Sequence, residues 1–217
     1  MEYSSLEKIL SKDRLAPYLA KHSGNQEKAV AHYKANIRIS ESFYSVISII
    51  EVGLRNNIDN QLKRKYSVDE WYDNPFFIKD VSSFQIDRIQ EARKNILKEK
   101  KTITPGRIIA ELTFGFWTSL FDTRFEKTLW KNLRLAFPKC PKQIRQRKTI
   151  SSKLNSIRKL RNRVFHHEPI AWNVNALVEY KNEFYDVINW LDGDLTTYFN
   201  DTFRVDNVIS DEVPKIK

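Results

Sequence analysis

The residues best suited to chemistry lie together in the string Arg158-Lys159-Leu160-Arg161-Asn162-Arg163-Val164-Phe165-His166-His167-Glu168, where cations, an amide and two imidazoles crowd one short stretch. Histidine exchanges protons near neutral pH. A guanidinium fork matches two oxygens of a phosphodiester, and the Asn162 amide can hold either the phosphate or an imidazole in place. Cleaving RNA without a metal needs a base for the 2′-hydroxyl, an acid for the leaving 5′-oxygen and cationic donors for the charged transition state. His166, Arg161 and Asn162 supply those roles. At about 100° per residue on a helix, Arg158, Asn162 and His166 form one stripe that drifts about 40° per step, whereas Arg161 stands about 140° from His166. One straight helix therefore splits Arg161 from His166. Two such helix ends facing each other across a two-fold axis would gather both side chains around one phosphate, which makes a homodimer the expected assembly.

A helix must carry this string. From Gln143 to His167, Ile150, Leu154, Ile157, Leu160 and Val164 recur at three- and four-residue spacing, so one face is buried. Pro169 disfavours helical geometry at Glu168 and sets the expected end near His167. Ahead of it, Asn25 to Lys65 has no proline and an apolar residue at nearly every turn, which predicts one long helix. Further helices are expected over 82–100, over 107–120 behind the Thr104-Pro105 start signal, over 124–137 and over 175–200. With 5 glycines and 7 prolines in 217 residues, the chain is expected to be all-α. Residues 1–200 read as one domain, and the polar stretch 201–217 reads as a loose tail.

At Arg161 the pattern becomes specific. Arg161, four residues and then His166, with Asn162 directly after the arginine, resembles the Arg-x4-6-His motif of HEPN ribonucleases. The longer string from Leu160 to Glu168 is similar to a Leu-Arg-Asn-x-x-x-His-His-Glu signature of Abi-like (abortive infection) proteins, and Leu112-Thr-Phe-Gly-Phe-Trp117 resembles a second block of that family. The resemblance implies a HEPN-like helical bundle, usually a homodimer, that cleaves RNA without a metal and acts in antiphage growth arrest. It carries Arg161, Asn162 and His166 into the catalytic site, with His167 as a supporting residue or a second proton carrier. Products would end in 2′,3′-cyclic phosphate and 5′-hydroxyl groups. As a toxin, such a protein would be held by a protein or RNA antitoxin.

Other residues could support the site. Glu51, Arg55 and Asn56 lie within one turn and a half of the long helix and match a Glu-x3-Arg-Asn feature of Abi-like proteins; as a plain intrahelical ion pair, Glu51 and Arg55 would add only a few tenths of a kcal/mol. Lys142, Arg145, Arg147, Lys148 and Arg163 could track an RNA backbone toward the helix end. Trp71, Tyr72, Phe76 and Phe77 would either stack unpaired bases or pack as core. The bland alternative for the central string is a solvated face: Arg158, Arg161 and Arg163 cap the helix, while His166 and His167 lean on Pro169 and Trp172. The protein would then be a non-catalytic RNA-binding or partner-binding module.

Composition agrees with a polyanion as partner without naming it. Thirty-seven Lys and Arg stand against 27 Asp and Glu, a formal charge of +10. The single cysteine, Cys140, allows no intramolecular disulfide, and no Cys/His array, Gly-rich phosphate loop or nucleotide motif is present, so no cofactor or metal is expected. No run of apolar residues is long enough for a membrane span, and the expected compartment is the cytoplasm.

Overall fold

The computed structural model describes residues 2–216, which are helical with no strand among them. Two short helices, α1 (Tyr3–Leu10) and α2 (Lys12–Lys21), precede α3 (Gln26–Tyr66), whose 41 residues make the single long helix expected from the sequence. Next come α4 (Pro75–Asp80), α5 (Ser83–Lys98), α6 (Pro105–Glu111), α7 (Phe114–Ser119) and α8 (Trp130–Leu133). Then follow the motif helix α9 (Arg147–Phe165), α10 (Val174–Leu191), α11 (Leu195–Tyr198) and α12 (Val205–Glu212). The chain divides into two compact units, and both α3 and α9 contribute residues to each.

The first unit comprises Met1–Val46, Leu160–Lys181 and Phe199–Lys217. Ala35, Ile39 and Phe43, each four residues apart on α3, are fully buried, as are Leu15, Leu160 and Leu177. The stretch expected to be loose carries α12 instead. Val205, Val213 and Ile216 are buried there, and the Glu212 carboxylate bonds Arg38 at 3.0 Å and Lys215 at 2.7 Å. Those apolar residues are few and interleaved with acids, so the periodic signal was too thin to mark a helix.

The second unit comprises Ile47–Lys159 and Asn182–Tyr198. Here α3 presents Ile47, Ile50, Leu54, Ile58 and Leu62 to a core built around Trp71, Phe77, Phe116 and Trp117. Trp71 stacks edge-on against Phe77 at 4.8 Å and donates its indole N–H to Asp59 at 2.8 Å. The single helix expected over 107–120 is broken in two. Leu112 turns extended, and the Thr113 hydroxyl starts α7 by accepting from the Phe116 N–H at 3.3 Å. A threonine inside an apolar run reads as a helical position until its cap geometry is seen. The stretch 124–137 likewise folds into 3-10 turns around the four-residue α8, and the helix expected over 175–200 stops at Leu191.

Candidate functional site

The motif helix ends at Phe165, two residues earlier than Pro169 alone would require. Its end is a Schellman motif: the Glu168 N–H donates to the Arg163 carbonyl at 2.8 Å, and the His167 N–H to the Val164 carbonyl at 3.1 Å. His167 occupies the left-handed position of that motif with φ 56°, where glycine is the usual residue. His166 is the half-helical residue before it, its N–H still bonded to the Asn162 carbonyl at 2.9 Å. The apolar clasp that commonly closes this motif is replaced by an ion pair between Arg163 and Glu168 at 3.6 Å.

The backbone beyond the helix is tied down on both sides. Asn36, only 4% exposed on α3, accepts the Ile170 N–H at 2.7 Å and the Ala171 N–H at 3.1 Å through Oδ1. One turn earlier, buried His32 donates from Nε2 to the Ala171 carbonyl at 3.2 Å, and its Nδ1 lies 3.0 Å from Nε2 of His22. The Ala171 carbonyl can only accept, so His32 Nε2 carries the proton and its Nδ1 accepts from His22. Arg14 donates to the His167 carbonyl, and Arg163 donates to the Pro169 carbonyl. Trp172 closes the loop against Tyr18 at 4.7 Å and His32 at 4.9 Å. Four side chains, those of Asn36, His32, Arg14 and Arg163, thus hold backbone that leaves the side chains of His166 and His167 exposed.

Of the three residues expected to be catalytic, Asn162 and His166 are exposed one turn apart on the helix, and Arg161 is half-buried. The Arg161 guanidinium lies over the Phe165 ring, 4.5 Å from its centroid, with Nη1 3.5 Å from Asn162 Oδ1. A cation laid on an aromatic face keeps its charge while giving up motion. The structure therefore places an amide and an imidazole on one face and holds a guanidinium beside them.

Arg158 belongs to the second unit, where Nη2 bonds Asn155 at 3.0 Å and Nη1 lies 4.0 Å from where a Cβ on Gly115 would stand. Gly115 thus brings the Leu112-to-Trp117 block against the motif helix. Glu51, Arg55 and Asn56 also lie in that unit, with Glu51 and Arg55 half-buried and Asn56 exposed. Their neighbour Asn57 is the structural member, donating to the Ala136 carbonyl at 2.9 Å and the Leu191 carbonyl at 3.4 Å. Gly53, one turn before it, leaves room for Leu191 Cδ1, 3.4 Å from an added Cβ.

Among the basic residues, Arg145 donates to the Phe137 carbonyl at 3.3 Å, and Arg147 bonds Glu126 at 2.9 Å and the Phe121 carbonyl at 3.1 Å. Arg163 is taken up by the loop, whereas Lys142 and Lys148 are exposed. The aromatics at 71–77 are mainly core: Trp71, Tyr72 and Phe77 are buried, and Phe76 alone is exposed. Sequence reasoning missed Asn36 and Arg14. Their partners lie 134 and 153 positions away, and no local pattern reports such pairs. Among the described residues no group of three or more His, Cys, Asp or Glu is placed to hold a metal ion, and no helix is long and apolar enough to cross a membrane.

Fold and site together define an all-α protein with a cationic, histidine-bearing helix end on a fixed backbone. The sequence matches the family of Abi-like proteins over residues 8–173, more than half of its 217 residues, and the chain belongs to that family. No curated protein and no solved structure gave a match.

Two predictions follow from the anchored loop. Burial holds the His32 pKa below its ordinary 6.5, with the neighbouring His22 and Lys21 adding to the effect against the Ala171 bond. The unfolded chain therefore takes up the proton first, and the stability from neutral His32 is present above pH 6.5 and lost as pH falls through the folded value. Urea midpoints should drop from pH 7.5 to 5.5 more steeply in the wild type than in His32→Gln, and equal slopes would refute this. Relieving the left-handed strain by His167→Gly should raise unfolding stability by about 0.5–1 kcal/mol. A lower urea midpoint would show that the imidazole packs.

Proposed function

We propose that the protein is a metal-independent endoribonuclease of HEPN type, acting in abortive infection or as a toxin. The observation that carries this reading is the arrangement of Arg161, Asn162 and His166 at an anchored helix end in an Abi-like chain. His166 takes the proton of the 2′-hydroxyl or gives one to the leaving 5′-oxygen, Arg161 neutralises the charge that grows on the phosphate, and Asn162 orients one of them. The attack of the 2′-oxygen on phosphorus forms the cyclic phosphate as the bond to the 5′-oxygen breaks.

The negative end of a helix dipole disfavours an anion, so cationic side chains must outweigh it at this terminus. Arg161 does so within one chain. A homodimer with two such ends facing each other adds a second arginine and a second imidazole, which lets one histidine act as base and the other as acid. RNA is the substrate partner, and a protein or RNA antitoxin would act by covering this end. Lys142 and Lys148, exposed on the second unit, are the cations there that would pair with RNA phosphates.

Purified protein incubated with total RNA in EDTA should produce fragments bearing 2′,3′-cyclic phosphate and 5′-hydroxyl ends, with activity lowered by at least about a hundredfold in both His166→Ala and Arg161→Ala. Intact RNA with the wild type, or cleavage that survives both substitutions, contradicts the assignment. RNA binding without cleavage, weakened by Lys142→Ala and Lys148→Ala and indifferent to His166→Ala, would instead mark a binding module.

A further inference from the structure

Beside His167 lies a cleft of about 400 Å3, walled by Tyr33, Ile37 and Tyr44 from α3 and by Phe165 from α9, all within the first unit. Two of its rings are open to solvent. Tyr44 is 62% exposed and Phe165 40%, and they meet edge-to-face with centroids 6.3 Å apart. Large rings left exposed as neighbours in a concave site mark a place where something flat and apolar binds.

Asn36 also lines this cleft and gives it a polar group of fixed orientation. Because Oδ1 accepts two backbone N–H groups, the amide has one possible orientation, and Nδ2 is the end left to donate. Among the described residues Nδ2 has no hydrogen-bond partner, although Asn36 is 4% exposed overall. The cleft thus offers aromatic faces together with a donor held rigidly by the loop. On the same wall, Glu41 supplies an acceptor, shared with Arg204 at 3.3 Å.

We infer that this cleft seats one unstacked base of single-stranded RNA adjoining the phosphodiester that is cut; this deepens the nuclease reading and rests on it. The base stacks on Tyr44 and Phe165 and accepts from Asn36 Nδ2 at its edge. A cleft of this size takes one base and excludes a duplex, whose bases are stacked and paired. The Arg161 guanidinium, 4.5 Å from the Phe165 ring, stands where the phosphate joined to that nucleotide needs a cation. Asn36 then has two functions: Oδ1 holds the loop that carries the motif histidines, and Nδ2 reads the substrate.

The test uses a short single-stranded RNA with 2′-O-methyl groups to block cleavage and the fluorescent base 2-aminopurine placed at successive positions. Titrated with wild-type protein, one position should be quenched by stacking. Tyr44→Ala should abolish that quench and weaken binding roughly tenfold. Asn36→Asp retains an acceptor for Ile170 and Ala171 and should also lose affinity while its thermal unfolding stays cooperative. Quenching at no position, or equal quenching in Tyr44→Ala, overturns the inference. So does a change of oligomeric state in Tyr44→Ala by sedimentation, which would make the patch a contact between copies of the chain. Cleavage assays separate this result from the nuclease reading. Unaltered cutting and site preference in Tyr44→Ala removes the subsite and leaves the nuclease; quenching without any cutting does the reverse.

Discussion

Asn36 is a polar side chain buried in α3, and its amide oxygen receives the backbone N–H groups of Ile170 and Ala171 at 2.7 and 3.1 Å. A backbone leaving a helix end has orphan groups, and when it is buried each must find a partner. Asn36 satisfies two, and His32, one turn away on the same helix, satisfies the Ala171 carbonyl. The loop after the motif helix therefore has a register set by residues more than a hundred positions earlier in the chain. Losing Asn36 would orphan two buried donors at once, at about 1–3 kcal/mol each.

That fixed register explains the use of the charged residues around it. Arg14 and Arg163 spend their guanidinium groups on loop carbonyls. A high count of cations near a motif therefore overstates the charge available to a substrate. What reaches solvent at the helix end is an amide, two imidazoles and a guanidinium steadied on an aromatic ring. Preorganised polar groups of this kind contribute to a reaction because little reorganisation is needed when charge develops. His167 shows the cost: a residue with a Cβ is held in left-handed backbone so that the chain can turn sharply behind His166.

Much of the fold was legible in the sequence, and the reasons are local. The 41-residue α3 and the face of α9 announced themselves through apolar spacing, and Thr104-Pro105 announced α6 through its cap. The motif was legible as well, because Arg161, Asn162 and His166 are close in sequence and their types suit phosphate chemistry. What could not be read depended on distant partners or on single cap bonds. Thr113 splits one expected helix in two, α12 forms where three apolar residues find a core, and Trp71, Tyr72 and Phe77 are buried while Tyr44 and Phe165, which the sequence did not single out, are exposed. Exposure belongs to tertiary packing, so an aromatic-rich stretch such as 69–77 looks the same in sequence whether it stacks on a ligand or on Phe116 and Trp117.

The central proposal is that RNA meets this protein at the end of α9, where the backbone is locked and Asn162 and His166 are exposed. Side-chain NMR spectra of the histidine rings, recorded while a 2′-O-methylated single-stranded RNA is added, test it directly. The account predicts that the His166 and His167 resonances shift with saturating dependence on RNA, while those of His32, sealed beneath the loop, stay still. Saturable binding that leaves the His166 ring unmoved and perturbs only amides around Lys142 and Lys148 would contradict it.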